Sequence, residues 1–294
     1  MNRRRFLKTL GVAGATAVVI RGGEAEASTV VASPDAYGVL VDTTMCAGCR
    51  NCEVVCAEAN DLPVPDIDDE SILENERATS ETQWTVVNRY ETDAGEVYRK
   101  AQCMHCIQPA CASACLTKAM LKTKEGPVIW REDKCMGCRY CMISCPFDVP
   151  KFEYHSAVPK IQKCVMCWDR IREGGQPACV ENCPGEALIF GKRSELIREA
   201  RRRIHTAPDD YHDHIYGEHE AAGSGFLYIG AVPPGQLGLR TNIRAGSYPE
   251  LTRGFLYSVP VVLALWPTLL LAVSRATRKK EEETAARQSE GEER

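Results

Sequence analysis

A surplus of positive charge is missing from this sequence. Its 36 lysines and arginines stand against 40 aspartates and glutamates, a net charge of -4, which excludes a nucleic-acid partner held by phosphate neutralisation. Missing too are a nucleophile with an adjacent base, a pair of catalytic carboxylates and a phosphate-cradling loop. Gly223-Ser224-Gly225 sits in no strand-turn-helix unit of the spacing that a dinucleotide fingerprint needs. The chain is therefore read as non-catalytic. With 26% charged and 44% hydrophobic residues it is neither disordered nor a polytopic membrane protein, and its 294 residues allow one or two compact units.

What is abundant is cysteine. All 16 lie between Cys46 and Cys183, the density of a cross-linked or metal-bound scaffold. They fall into four quartets with none left over. Cys46, Cys49, Cys52 and Cys56 follow C-x2-C-x2-C-x3-C, and Cys135, Cys138, Cys141 and Cys145 repeat that spacing with Pro146 behind the last. This is the bacterial ferredoxin run. One gap widens in Cys103, Cys106, Cys111 and Cys115, and widens further in Cys164, Cys167, Cys179 and Cys183, which Pro184 follows. Three closely spaced thiolates wrap one cubane while the fourth ligates its neighbour. Four [4Fe-4S] clusters are predicted, with all sixteen cysteines as iron ligands and no catalytic residue.

Repetition supports this reading. Cys46-Ala-Gly-Cys49-Arg50-Asn-Cys52 matches Cys135-Met-Gly-Cys138-Arg139-Tyr-Cys141, and the shared glycine suits a turn with positive φ. Gln108-Pro-Ala-Cys111 returns as Gln176-Pro-Ala-Cys179, and Ala119 and Ala187 each stand four residues after a final cysteine. The order A-B-A-B indicates a duplicated two-cluster ferredoxin. The alternative of another class is an exported zinc- or disulfide-rich structural module. It leaves four complete quartets unexplained, because structural zinc takes two cysteine pairs across a longer spacer and C-x2-C disulfides are labile.

The two ends point to a membrane. Arg3-Arg4, then Phe6-Leu7-Lys8, an apolar run to Ile20 and Ala25-Glu26-Ala27 read as a twin-arginine export signal over residues 1–27. Phe255 to Val273 carries no charge. As a helix rising ~1.5 Å per residue it spans roughly 28 Å, close to a hydrocarbon core of ~30 Å. One transmembrane helix is expected at 253–274, with Pro260 and Pro267 inside it, and a charged tail at 275–294. Arg275, Arg278, Lys279 and Lys280 place that tail in the cytoplasm by the positive-inside rule.

Together these features resemble the four-cluster ferredoxin-like subunits that accompany bacterial molybdenum (molybdopterin) oxidoreductases and some membrane-bound hydrogenases. The resemblance runs from Cys46 to about Pro234 and includes Lys163-Cys164-Val-Met-Cys167-Trp-Asp169-Arg170 and the stretch from Tyr216 to Pro233. It implies an α+β fold of two pseudo-symmetric ferredoxin-like halves over 28–252, with an inserted β-hairpin region at 57–102. It also implies that quartet one pairs with four and two with three. The cluster ligands are then Cys46, Cys49, Cys52 with Cys183; Cys164, Cys167, Cys179 with Cys56; Cys103, Cys106, Cys111 with Cys145; and Cys135, Cys138, Cys141 with Cys115. Spacing alone leaves pairing of quartet one with two equally open. A signal combined with an anchor is similar to the HybA type, which accompanies hydrogenase-2-like nickel-iron hydrogenases; formate dehydrogenase subunits share the anchor. The implied role is an electron wire in the bacterial inner membrane, its body facing the periplasm, between a periplasmic catalytic subunit and an integral membrane quinone-reactive protein.

The remaining segments read as support. Trp84–Val87 and Glu96–Lys100 are expected as strands around a turn at Asp93-Ala-Gly95, forming a docking surface for the catalytic partner. The acidic run from Asp66 to Glu70 is read as a solvated loop, and 194–203 as a short exposed helix. His205, His212, His214 and His219 are assigned to a loop or interface, and His105 to the lining of a cluster. Lys160, Lys163 and Arg139 are candidates for raising a cluster potential.

Overall fold

The structure, a computed structural model, describes residues 36–292; the export signal expected at 1–27 lies outside the described residues. The chain divides at Glu250 into two units.

The first unit is organised by a three-stranded sheet. Strand β1 (Tyr37–Asp42) is its centre. Helix α1 (Asn51–Glu58) follows the first cysteine loop, and strands β2 (Val86–Thr92) and β3 (Gly95–Ala101) pair antiparallel. The pairing extends well beyond the strands expected from sequence, down to Thr92 opposite Gly95. Then come α2 (Ala110–Ser113), the ribbon of β4 (Met120–Lys122) with β5 (Val128–Trp130), and α3 (Tyr140–Ser144). A second short ribbon joins β6 (Lys151–Phe152) to β7 (Ile161–Gln162), before α4 (Trp168–Arg172) and α5 (Ala178–Glu181). Strand β8 (Leu188–Lys192) returns antiparallel to β1, helix α6 (Arg193–Thr206) crosses over, and β9 (Phe226–Ile229) joins parallel to the other side of β1.

Alternation along these strands divides two cores. Leu40, Leu227 and Ile229 point to one face, where they pack on Leu196, Ala200 and Ile204 of α6. Val39, Val41, Phe226 and Tyr228 point to the other, among Met104, Met166 and Cys179. The period-2 geometry of a strand thus gives one sheet a helix on one face and the cysteine-rich body on the other. This corrects the expectation of an exposed helix at 194–203: α6 buries every third or fourth residue against the sheet.

The quartets share local backbone. Gly48 and Gly137 have φ of 70° and 71°, and Arg50 and Arg139, the next αL positions in each C-x-G-C-R-x-C loop, have 58° and 61°. His105 and Met166, each two residues after the first cysteine of its quartet, are also left-handed, as are Lys118 and Glu186 before the buried Ala119 and Ala187. Left-handed backbone at a non-glycine residue costs roughly 1–2 kcal/mol. Its recurrence at matching positions marks loops whose shape is fixed by what they surround.

Among the described residues the second unit is one helix, α7 (Glu250–Glu292), which runs through Pro260 and Pro267. Residues 250–278 of it are long and apolar enough to cross a membrane, and none of that window is buried within the protein. The charged tail expected at 275–294 continues the same helix to Glu292.

Candidate metal centres

Each quartet is carried by a loop that runs into a short helix. Cys52 and Cys56 lie on α1, Cys111 on α2, Cys141 on α3 and Cys179 on α5. Helix α1 packs on α5, and α2 on α3. Asn51 ties the first pair, its Nδ2 donating to the Asn182 carbonyl at 2.7 Å.

This packing brings the thiols together across quartets. Cys46 lies beside Cys183 and Cys49, and these three with Cys52 wall one cavity. Cys56 has left its own quartet and lies beside Cys179 and Cys167; with Cys164 they wall a second cavity. Cys106 and Cys111 face Cys145 and Cys103. Cys141 faces Cys115, Cys135 and Cys138. The four groups form a row. Cys52 neighbours Cys179 and Cys164 neighbours Cys103, while Cys111 and Cys141 share one apolar core. Cys49 and Cys138, one in each end group, are the exposed cysteines of the sixteen.

Among the described residues every cysteine is a free thiol, and no three His, Cys, Asp or Glu side chains converge tightly enough to hold a single ion. The donor set therefore fits a group larger than one zinc, with four sulfurs spread around it. Orphaned donors agree. The Trp84 indole N-H is buried, with no partner among the described residues, in the wall of the cavity that Cys56, Cys164, Cys167 and Cys179 enclose. A buried donor left unmade costs about 1–3 kcal/mol, so an acceptor belongs there, and cluster sulfur is one.

Burial sets the electrostatics. It pushes the Cys56 and Cys141 thiols up to about 11, with neighbouring thiolates adding to the effect. Cys52, Cys111 and Cys164 are driven well above the ordinary thiol range for the same reasons. Iron must displace these protons, so loading is coupled to proton release. Backbone N-H groups point at the sulfurs, among them Met166 to Cys164 Sγ and Met120 to Cys115 Sγ, both at 3.4 Å.

Three lysines are buried beside the thiols, Lys100, Lys122 and Lys163. Burial lowers Lys122 to about 8, opposed by the Cys106, Cys103 and Cys111 thiolates. His105, wholly buried, is kept neutral by burial and by the charges of all three lysines. Its Nδ1 accepts from the Val128 N-H at 2.9 Å, so the proton sits on Nε2, which has no partner among the described residues.

The three cations singled out from sequence separate in the structure. Lys163 is no surface charge: its Nζ donates to the Val128 and Cys164 carbonyls in the interior. Lys160 is half-exposed and paired with Glu132 at 3.2 Å, and the Arg139 guanidinium lies over the Phe152 and Tyr154 rings. Lys100 and Lys122 went unseen, since each occupies a strand whose other residues give no sign that a cation turns inward. His212 and His214 stand 6.5 Å apart, and His214 pairs with Glu220. The acidic run is partly structural, because Arg50 donates to the carbonyls of Asp66 and Asp69.

The segment between the first two quartets is pinned to the first by Glu53. Its wholly buried carboxylate accepts from Arg77 at 2.5 Å, Gln83 at 2.9 Å and the Val87 N-H at 2.6 Å, with Arg50 at 3.4 Å.

Comparison with known proteins accords with this geometry. A family model described as a 4Fe-4S dicluster domain matches residues 96–193. A protein of Nitratidesulfovibrio vulgaris is 48% identical over 99% of this chain and 80% of its own length. The hydrogenase-2 operon protein HybA of Escherichia coli O157:H7 is 33% identical over 95% of this chain and 96% of its own length. The iron-sulfur subunit of the nitrate-inducible formate dehydrogenase of Escherichia coli K12 is 32% identical over 65% of this chain and 66% of its own. With its thiols gathered in this way and its sequence shared with HybA almost end to end, the chain belongs to the family of ferredoxin-like electron-transfer subunits of oxidoreductases and binds [4Fe-4S] clusters.

Proposed function

We propose that this chain is a membrane-anchored wire of four [4Fe-4S] clusters, held by the four cross-quartet thiol groups described above. The grouping of the thiols into a row, with Cys49 and Cys138 exposed at its two ends, carries this reading. Bound clusters supply one-electron exchange, with potentials set by cluster charge, hydrogen bonds to sulfur and solvent exposure. The protein's part is to space the thiolates, aim backbone N-H groups and the Trp84 indole at sulfur, and exclude water from the inner two groups, where Cys56, Cys103, Cys111, Cys164 and Cys179 are buried.

Electrons enter and leave at the ends of the row. Leu116 and Ile143, 78% and 82% exposed, lie with Met136 and Tyr140 along the loops of the Cys138 group, an apolar rim suited to a partner. The partners are a periplasmic catalytic subunit, most simply a nickel-iron hydrogenase because the likeness to HybA covers nearly the whole chain, and an integral membrane quinone-reactive protein. Helix α7 crosses the inner membrane once, with its basic C-terminal flank in the cytoplasm. Residues 1–27 direct export of the folded body through the twin-arginine route.

Anaerobically purified chain is expected to carry about 16 iron and about 16 acid-labile sulfide, four per cubane. Cys56→Ser is expected to perturb the same electron paramagnetic signal as Cys179→Ser. If it instead perturbs the signal changed by Cys46→Ser, the cross-quartet assignment fails. Nickel in the purified native complex supports the hydrogenase partner; molybdenum replaces it with a formate dehydrogenase or another molybdopterin enzyme.

A further inference from the structure

Lys100 is 2% exposed and lies between two of the thiol groups. It lines the cavity walled by Cys46, Cys49, Cys52 and Cys183. Its Nζ donates to Thr85 Oγ1 at 3.1 Å, and Thr85 lines the neighbouring cavity of Cys56, Cys164, Cys167 and Cys179. The other acceptor is Gln102 Oε1 at 3.0 Å, and the Phe226 ring lies 5.4 Å away. No carboxylate forms an ion pair with Lys100 among the described residues; Glu53, the nearby buried acid, is occupied by Arg50 and Arg77. Gln102 is fixed in turn, donating to the Tyr228 hydroxyl at 2.6 Å, while that hydroxyl donates to the Lys100 carbonyl at 3.0 Å.

A buried ammonium with only two neutral acceptors and a ring face is costly unless negative charge is nearby. The negative charge here is thiolate. Cys179, Cys52, Cys164 and Cys56 lie around it, and each carries negative charge once it is bound to iron. Cys52 belongs to the Cys46 group and Cys56, Cys164 and Cys179 to the Cys56 group, so one charge serves two groups.

We propose that Lys100 is a positioning residue for electron transfer, a permanent countercharge shared by the clusters of the Cys46 and Cys56 groups that raises the reduction potential of both. This rests on the four-cluster reading above. Adding an electron to either cluster increases the negative charge facing the ammonium, and in a low-dielectric interior that charge stabilises the reduced form. The fixed Thr85-Gln102-Tyr228 cradle keeps the ammonium in place in both redox states. The leading charges acting on Cys141 are those of other cysteines, and its group, which Lys100 does not line, serves as the internal control.

The test is a redox titration of the anaerobic full-length chain, poised with dithionite and mediators and followed by electron paramagnetic resonance. In Lys100→Met two of the four midpoint potentials shift negative and the rest hold; in Lys100→Arg the two return toward wild type. Unmoved potentials at full iron and sulfide content overturn the proposal, as does an equal shift of all four. If Lys100→Met does not assemble, Lys100→Gln, which keeps a donor for Thr85 and Gln102, is read in its place. Iron loss in both variants, restored by Lys100→Arg, assigns the ammonium to assembly and overturns a role in tuning. Wild-type chain without cubane stoichiometry sinks the four-cluster reading itself, a separate result.

Discussion

At the scale of single residues, the interior around the thiols is rich in charge, much of it matched by hydrogen bonds. Glu53 gathers donors from Arg50, Arg77, Gln83 and the Val87 backbone, while Lys122 and Lys163 are capped by backbone carbonyls. The far face of the sheet offers a simpler titration. Hydrogen bonds from Arg202 and then Arg203 hold the Glu199 carboxyl down to about 2. A depressed acid stabilises the fold above its unfolded pKa, and that contribution is lost as pH falls toward the folded value. The stability advantage of wild type over Glu199→Gln, measured by chemical denaturation, is therefore expected to be constant near neutrality. It should shrink below about pH 4.5, the usual carboxyl range. An advantage that grows as the pH falls would contradict the pairing. Sequence revealed the thiols at this scale but not Lys100 and Lys122, because a cation on a strand is by default a surface residue and only its neighbours show otherwise.

At the scale of elements, the first and third cysteine loops are twins in spacing and backbone yet differ in what covers them. A methyl group on Gly48 would strike the Tyr98 ring on β3, whereas one on Gly137 would meet nothing. Both positions have positive φ, so each alanine variant carries a backbone strain of roughly 1–2 kcal/mol. Gly48→Ala adds a steric clash against β3, whose partner strand β2 is pinned by Glu53. It is expected to lose more stability and more iron than Gly137→Ala, as read by thermal denaturation alongside iron content. Equal losses would show that the β2–β3 hairpin does not hold the first loop. The glycine turns were legible from C-x-G-C-R-x-C alone. The left-handed arginines one step later were not, since nothing in an arginine announces that conformation. The strands flanking Asp93-Ala94 were legible in kind but short in extent, because β propensity fades at Arg89 and Glu91 while pairing continues through them.

At the scale of the molecule, the body and α7 are separate units. The apolar residues of α7 are exposed from Val261 to Val273, which suits lipid. A lysine near the centre of a spanning helix costs about 2.5–3.5 kcal/mol of insertion. Leu263→Lys with Leu265→Lys is expected to move the chain from the carbonate-resistant membrane fraction to the soluble one, with its visible iron-sulfur absorption intact. Retention of the double variant in the membrane would mean that a partner, rather than α7, anchors the body.

The amino-acid order by itself determined the chemistry: sixteen thiols in four ferredoxin-type spacings, glycines where the loops turn, and an uncharged stretch long enough to cross a bilayer. Those are local properties, written within a few residues of one another. Which thiols meet was decided by tertiary packing, because α1 must lie on α5 and α2 on α3 before Cys56 can reach Cys179 or Cys115 can reach Cys141. The sheet order was decided in the same way, since β1 pairs with strands more than a hundred residues away and no short-range pattern encodes so distant a partner. Lys100 belongs to that second category: its charge is in the sequence, but its place between two groups of thiolates exists only in the folded chain.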